Sequence, residues 1–514
     1  MSVESDAGSS TSSTSVGYAW DNVPIQWPRR LLDISTMTSV ERQPDNVYAG
    51  IREPEYNILS YTWGRWYVKD GPRLEVKGAP WTIPAVDQGK FMVEEFKQVI
   101  SVMEKTARFA WVDIACIDQE NHDIKMDEIG RQAVCLPRIF SRLSILLDTA
   151  IDPLFWISAR PGIPGHKSVT IQDPPFLAII TEFENSVNTL LDDPWFSSLW
   201  TLQEGTLRYG DAVVLSRDAQ PVERLAENFR LFKGTSPELD AIYPLDTEIE
   251  IVADRVLARI WKAGYPSSIS FGNPNVQYGA SQFRTTKLEA DRIYGILALY
   301  AFYDLRVGER RQDVSGHRNY TFDRLKEEFA IALNTKSPTL GQLFLHTKQP
   351  KQGRTWQITE KSRSPIDVNI EKCRSDMTGC VMPAPCASFG KIVEIFDGLS
   401  YDGSYKAQVM VDDYLCSEYK VDPYFEFGTN RDPMKPAVST AYAILHAVEV
   451  SRVFILKLGR QMVRGDCKYF GLLLLHDDSP QCHRIGLCTW GGSAVRESTL
   501  AREPKWVDYK GIYN

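Results

Sequence analysis

The sequence lacks the features that would place the chain in a membrane, on nucleic acid or in an oxidising compartment. Its longest apolar stretches, such as residues 293–303 and 470–475, fall well short of the ~20 apolar residues that a transmembrane helix needs. Acidic side chains outnumber basic ones by 66 to 58, which argues against a broad nucleic-acid-binding or lipid-binding surface. The nine cysteines are scattered without a CxxC pair, as expected in a reducing cytosol. We therefore predict a cytoplasmic protein with no nucleic-acid or membrane partner.

Several standard catalytic and metal-binding motifs are also missing. There is no GxGxxG, no P-loop and no HExxH. Three cysteines within residues 373–386 are spaced too widely for a zinc knuckle. A second group, Cys482, His483, Cys488 and His476, is better explained as a hairpin with ordinary buried thiols than as a zinc site. We predict no metal site and no bound cofactor.

What the sequence does contain is an ordinary globular composition, with 43% apolar and 24% charged residues over 514 positions. A chain of this length suits two to four domains and can bury a sizeable core. Residues 1–19, rich in serine and threonine, are predicted to form a disordered tail. Pattern changes then predict an α/β domain over residues 20–218, a mainly helical region over 219–345 and a β-rich region over 346–514.

The α/β domain alternates short apolar runs with amphipathic stretches. Strands are predicted at residues 56–61, 109–114, 143–147 and 212–216. A helix is predicted between the first two strands, because apolar residues recur there at helical spacing from Phe91 to Met103. Asp193 and Pro194 are typical of an N-cap and a first helical residue, and we expect the helix that they begin to continue past Glu204. Together these elements predict a parallel sheet between helices.

Fewer elements are predicted beyond residue 220. Helices are expected at residues 291–299 and 322–333, strands at 391–396 and 406–411, and a β-hairpin formed by residues 469–475 and 484–490.

Four segments of the α/β domain carry a family resemblance. They are YNILSYTWG at residues 56–64, WVDIACIDQ at 111–119, a helix with Glu128, Arg131 and Gln132, and DPWFSSLWTLQE at 193–204. In this order they resemble the heterokaryon-incompatibility (HET) domain of fungal proteins, in which LSYxWG, WxDxxCIDQ and WFxRxWTxQE recur. Ser198 replaces the arginine that is usual in the last motif. A further segment, RTTKLEADRIYGIL at residues 284–297, is similar to one that often follows HET domains.

A more distant resemblance connects the same strands and the S-x-W-x-x-x-E helix to TIR domains. It implies a TIR-like or flavodoxin-like parallel sheet. In enzymatic TIR domains the glutamate of that helix motif cleaves NAD, and this glutamate corresponds to Glu204 here. The resemblance therefore implies that Glu204 is catalytic. The residues expected to bind the substrate are Ser60, Trp63, Gly64, Arg65, Asp113, Asp118, Ser198 and Trp200.

The chemistry of NAD cleavage suits a single carboxylate. The nicotinamide leaving group is already a pyridinium, so no general acid must protonate it. One carboxylate can hold the ribose hydroxyls and stabilise the developing oxocarbenium charge. Trp200 lies four residues before Glu204, so an aromatic plane and a carboxylate would share one helix face.

Each of these residues also has a structural interpretation. Trp63 and Gly64 suit either the mouth of a nucleotide site or a tight turn, and Arg65 either a phosphate contact or a solvated loop. Asp113 and Asp118 suit either ribose binding or a capping role. Cys116, with His122 as the only base near it in sequence, suits either a nucleophile or a buried, inert thiol, and we favour the thiol. Ser197 and Ser198 suit helix-surface or capping groups better than nucleophiles. Glu204 suits either the catalytic role or a solvent-facing side chain.

The HET resemblance implies a role in fungal non-self recognition and regulated cell death. We expect hydrolysis of NAD, or of NADP or a related nucleotide, to be switched on by self-association into a homo-oligomer. The alternative is a non-catalytic interaction module that signals by oligomerising. In either case the C-terminal region is a candidate site for a protein partner.

Overall fold

The structure is a computed structural model that describes part of the chain in separate stretches. They are residues 27–62, 67–89, 92–121, 124–125, 128, 142–146, 181, 184–185, 187–207, 212–215, 247–264, 273–300, 321–364, 373–375, 386–388, 407–415, 424–427, 453–463, 466–476 and 482–491. The predicted tail and the predicted strand at 391–396 lie outside these stretches. None of the helices within them has the length and apolar character needed to cross a membrane.

The N-terminal part of the chain forms a sheet flanked by helices. Its strands are β1 Arg30–Asp33, β2 Thr38–Glu41, β3 Val47–Tyr48, β4 Ile51–Arg52, β5 Tyr56–Ser60, β6 Tyr67–Val68, β7 Ala85–Val86, β8 Phe109–Trp111, β9 Arg142–Leu146 and β10 Ala212–Leu215. Its helices are α1 Val93–Glu104, α2 Asp113–Cys116, α3 Pro194–Ser197 and α4 Leu199–Leu207. Six strands form the main sheet, in the order β10-β9-β5-β8-β1-β2.

This sheet is mixed, so the predicted parallel arrangement is confirmed for four of its six strands and not for the other two. Strands β5, β8, β9 and β10 are parallel, whereas β1 pairs antiparallel with β8 and β2 pairs antiparallel with β1. The hairpin is fixed to β8 by a charge pair, because Arg108 Nη2 lies 2.5 Å from Oδ2 of the buried Asp33. The backbone N–H of Ile34 also donates to the carbonyl of Arg108 at 3.0 Å. The α/β class itself is confirmed.

The central strand, β5, is where the order of the parallel strands reverses. The next parallel strand in the chain, β8, pairs on one side of it and β9 pairs on the other. All five residues of β5 are buried, as the short apolar run predicted. In open α/β sheets a crevice forms outside the carboxyl ends of the strands at such a reversal. The carboxyl end of β5 is Ser60.

Helix α1 confirms the predicted helical spacing. Its buried residues are Val93, Phe96, Val99, Ile100 and Met103. The carboxylate of Glu95 accepts the backbone N–H of Met92 at 3.1 Å, which satisfies one of the free donors at the helix start.

Two predicted elements are interrupted. The strand expected at 109–114 ends at Trp111, because the chain turns into α2 and the carboxylate of Asp113 accepts the N–H of Ile114 at 2.5 Å. The helix begun by Asp193 and Pro194 starts as predicted, with the Asp193 carboxylate accepting the N–H of Trp195 at 2.9 Å. It breaks at Ser198, whose φ of −78° and ψ of 139° are extended. The glutamate-bearing helix α4 is therefore separate from α3.

The rest of the chain contributes helices and a second sheet. The helices are α5 Thr247–Lys262, α6 Pro274–Ser281, α7 Asp291–Tyr294, α8 Phe322–Lys336 and α9 Pro338–Gln342. The strands are β11 Leu345–His346, β12 Ser362–Arg363, β13 Cys373–Ser375, β14 Cys386–Ser388, β15 Ala407–Val411, β16 Tyr424–Phe427, β17 Val453–Val463, β18 Asp466–His476 and β19 Cys482–Gly491. All but β11 and β12 join one seven-stranded sheet.

Several predictions for this part are confirmed. Helix α8 and strand β15 form where expected, and β18 and β19 pair antiparallel as the predicted hairpin. The helix expected at 291–299 is instead divided into α7 and a 3-10 turn at Leu297–Leu299. The β-rich C-terminal character is confirmed, while the domain boundaries at 218 and 345 stay predictions.

Candidate functional site

The site is centred on Ser60, the buried last residue of β5. Its hydroxyl accepts a hydrogen bond from the indole Nε1 of Trp195 at 2.7 Å and donates one to Oε2 of Glu204. This direction follows from the partners, because an indole N–H can only donate. Ser60 must accept from Trp195, so its own proton is free to point at the carboxyl group.

Helices α3 and α4 bring the two partners of Ser60 to the end of β5. Trp195 is the second residue of α3 and is fully buried, with its ring edge-on to Phe196 at 4.9 Å between centroids. Glu204 is one residue past the middle of α4 and is only partly buried. The break at Ser198 separates the helices, so the side chains of a fully buried residue and of a partly buried residue both reach one serine.

Burial dominates the electrostatics of Glu204. Removal from water raises the pKa of its carboxyl group to about 8, against an ordinary value of 4.5. The hydrogen bond from Ser60 works in the opposite direction, and the nearby negative charge of Asp113 raises the pKa further. At neutral pH the group is therefore mainly a neutral acid. A cation or a further hydrogen-bond donor beside it would favour its ionised form.

A second carboxyl group lies beside the first. Tyr61, directly after Ser60, donates its phenolic hydrogen to Oδ1 of Asp113. Burial raises the pKa of Asp113, whereas the Tyr61 hydrogen bond, the Ile114 N–H and the positive charge of Lys125 lower it. Burial and the Asp113 charge together hold the pKa of the Tyr61 phenol well above its usual value. Two successive residues thus hold two acidic groups at one end of the sheet.

The other residues singled out from the sequence lie in different places. Asp118 closes a turn, with Oδ1 accepting the backbone N–H groups of Glu120 and Asn121 at 2.9 Å each. Ser198 forms the helix break, and Trp200 lies partly buried on α4, one turn before Glu204. The remaining three fall outside the described residues: Trp63, Gly64 and Arg65.

The thiol of Cys116 has the properties of a structural group. It is buried at the end of α2, and burial raises its pKa to about 12. A thiol with this pKa is almost entirely protonated at neutral pH and therefore a poor nucleophile. Within the described residues, no three histidine, cysteine or acidic side chains come close enough together to hold a metal ion.

Sequence reasoning did not select Trp195 or Tyr61 as site residues. Both belong to the conspicuous motifs, but aromatic residues in such motifs are usually taken as core. The available signal was chemical, since a buried tryptophan or tyrosine needs a partner for its N–H or O–H. Here those partners are Ser60 and Asp113, two of the residues that had been selected.

One comparison with known proteins bears on this site. The family model described as heterokaryon incompatibility protein (HET) matches residues 56–204. Residues 56–204 are similar to this family, and the matched segment is called the HET domain below. It begins at the first residue of β5 and ends at Glu204, so it contains every member of the Ser60–Trp195–Glu204 cluster. It covers less than a third of the chain and leaves out the β1–β2 hairpin. No curated protein and no solved structure gives a significant match.

Proposed function

We propose that the HET domain hydrolyses NAD to nicotinamide and ADP-ribose, with Glu204 as the catalytic carboxylate, in the service of heterokaryon incompatibility. The observation that carries this proposal is the position of Glu204, which Ser60 holds at the carboxyl end of β5. Numbered by their order in the chain, the parallel strands β5, β8, β9 and β10 are strands 1 to 4. They lie across the sheet in the order 2-1-3-4, as in flavodoxin-like folds, which bind nucleotides at the point where the order reverses. A TIR-like relationship is part of the same proposal.

The charge of the site supports a substrate with a cationic centre. Glu204 and Asp113 are close enough for the charge of one to raise the pKa of the other. Adding an anionic group there would increase this repulsion, whereas a pyridinium would relieve it. A bound nicotinamide ring would favour ionisation of Glu204 at neutral pH, which would supply the negative charge that the reaction needs.

The proposed reaction follows directly from this arrangement. The bond between C1′ of the ribose and the nicotinamide nitrogen breaks, and its electron pair leaves with the now neutral nicotinamide. The positive charge that develops on the ribose is stabilised by the Glu204 carboxylate. Water then adds to C1′ and releases one proton. Ser60 contributes by orienting the carboxyl group through its hydrogen bond.

The test is nicotinamide release from NAD by purified full-length protein at high concentration. We expect Glu204→Gln to lose at least about a hundredfold in rate, the scale of losing one well-placed electrostatic group. Glu94→Gln is a matched control, since Glu94 lies exposed on α1 and pairs only with Lys97 at 3.0 Å among the contacts described for it. Full turnover by Glu204→Gln would contradict the proposal.

Self-association has to be measured in the same samples. We propose that the active form is a homo-oligomer, so light scattering should accompany each assay. If an oligomeric wild-type sample releases no nicotinamide, a non-catalytic interaction module becomes the better description of this HET domain.

A further inference from the structure

The break between α3 and α4 leaves backbone carbonyl groups that need donors. The last four carbonyl groups of a helix have no partner within it, and α3 is only four residues long. The Pro194 carbonyl accepts the N–H of Ser198 at 3.0 Å. The carbonyl of Trp195 accepts the hydroxyl of Thr201, which also donates to the carbonyl of Ser198 at 3.0 Å. Further donors come from much later in the chain.

These donors belong to Arg284 and Thr285. Nη1 of Arg284 donates to the carbonyl of Ser198 at 3.0 Å and to that of Trp195 at 3.3 Å. The backbone N–H and the hydroxyl of Thr285 both donate to the carbonyl of Ser197, at 2.7 and 2.9 Å. The N–H of Leu199, the first residue of α4, returns a bond to the Thr285 carbonyl at 3.2 Å.

The burial and the planar guanidinium of Arg284 suit it to bind these carbonyl groups. It is buried, with 2% of its surface exposed, and Nη2 donates to the carbonyl of Ala263 just beyond α5. A guanidinium presents several N–H groups in one rigid plane, so it can hold three carbonyl groups in fixed positions. A lysine ammonium lacks this planar geometry. The arginine therefore fixes α3 and α4 to the end of α5.

The same contacts lead to the carboxyl group. Arg284 holds the backbone of Trp195, the indole of Trp195 donates to Ser60, and Ser60 donates to Glu204. We propose that Arg284 and Thr285 are positioning residues for Glu204, through which the region after the HET domain sets the geometry of the site. Neither residue lies within the matched family segment, which ends at Glu204.

The region after the HET domain also contacts α4 through apolar packing. Leu199 and Leu202 of α4 are buried in a cluster with Tyr278, Ile293 and Phe329. A displacement of residues 284–300 would therefore move both the carbonyl donors and the apolar support of the helix that carries Glu204. In this way the later region can control the site without contributing a catalytic residue.

The test compares Arg284→Gln with a matched arginine variant. Arg255→Gln serves as the control, because Arg255 of α5 also binds the HET domain, at 2.7 and 2.8 Å from Glu184, and none of the hydrogen bonds described for it involves Trp195. This inference rests on the proposed function for its kinetic measurement alone. We expect Arg284→Gln to lower kcat for nicotinamide release by roughly tenfold to a hundredfold, the scale of a small misplacement of a catalytic group. KM should change much less, and Arg255→Gln should retain the wild-type kcat.

A measurement that needs no turnover separates the two proposals. Urea unfolding across pH is compared for each protein with and without Glu204→Gln, which isolates the part of the pH dependence due to Glu204. This part should differ between Arg284→Gln and wild type, and should be unchanged in Arg255→Gln. If Arg284→Gln does not fold, Thr285→Val, at an exposed position, decides by the same two measurements. Wild-type kcat and wild-type pH dependence in the folded variant would overturn the inference. If the wild-type protein releases no nicotinamide, only the proposed function is overturned.

Discussion

Replacing Glu204 with glutamine should remove a pH dependence of the protein's stability. The pKa of Glu204 is about 8 in the folded chain against 4.5 for an ordinary glutamate. Between these values the folded chain retains a proton that the unfolded chain has lost. The free energy of unfolding therefore falls as pH rises from about 4.5 to about 8, and it is constant with respect to this group outside that window.

The size of the effect follows from the same two values. At about 1.36 kcal/mol per pKa unit, the difference between 4.5 and about 8 sets a ceiling of about 5 kcal/mol. Glu204 is partly exposed, so water screens part of the cost of ionisation. We expect roughly 2–3 kcal/mol of stability to be lost by wild type across the window and none of this part by Glu204→Gln, whose amide is neutral throughout.

Urea unfolding at a series of pH values from about 5 to about 9 measures this directly. A group with an altered pKa that is not coupled to Glu204, such as His346, contributes equally to both proteins and cancels in the difference. Glu94→Gln, at an exposed site, should follow wild type. If Glu204→Gln loses stability with pH as steeply as wild type does, the carboxyl group is not buried as described.

Three further predictions concern groups around the site and the packing of the later region. Arg108→Gln should lower the midpoint of urea unfolding, because it removes the partly exposed cation that pairs with the buried carboxylate of Asp33. In wild type the pKa of Asp33 is lowered, so its carboxylate contributes to the free energy of unfolding above its ordinary pKa of 3.8, and this contribution is lost as pH falls below that value. Asp33→Asn should abolish this loss of stability in acid. Gly279→Ala should lower the melting temperature, because a Cβ there would collide with the carbonyl oxygen of Ser362 on β12, a backbone atom that cannot easily move. Cys116 should resist iodoacetamide in the native protein and react after unfolding in urea, as mass spectrometry of its peptide would show; modification under native conditions would refute its burial.

Local patterns were sufficient for much of the fold. The apolar run at Tyr56–Ser60 and the helical spacing of Phe96, Val99 and Met103 depend on periodicity within one element, and both elements form where expected. Asp193 capped a helix as predicted because a capping carboxylate and the N–H that it accepts are only two residues apart. Such features need no knowledge of the rest of the chain.

The interruptions were not predictable in the same way. Ser198 lies within a stretch of helix-compatible residues, yet it is extended because Thr285 pairs with it from 87 positions away in sequence. The antiparallel pairing of β1 with β8, beside which Asp33 and Arg108 form their ion pair, likewise joins residues that are distant in sequence. A one-dimensional pattern carries no information about which remote segment will supply a donor or an edge strand.

The sequence by itself determined the similarity of residues 56–204 to the HET family, the α/β class of the first region and the places of Ser60, Asp113 and Glu204 in distinctive motifs. Only the tertiary structure decided what these residues contact. Ser60 and Glu204 are joined by one hydrogen bond across 144 positions, with Trp195 donating to the same hydroxyl. The raised pKa of Glu204 likewise depends on exclusion of water by several elements and on the charge of Asp113. Burial and electrostatics are properties of the packed molecule, whereas motif identity belongs to the chain.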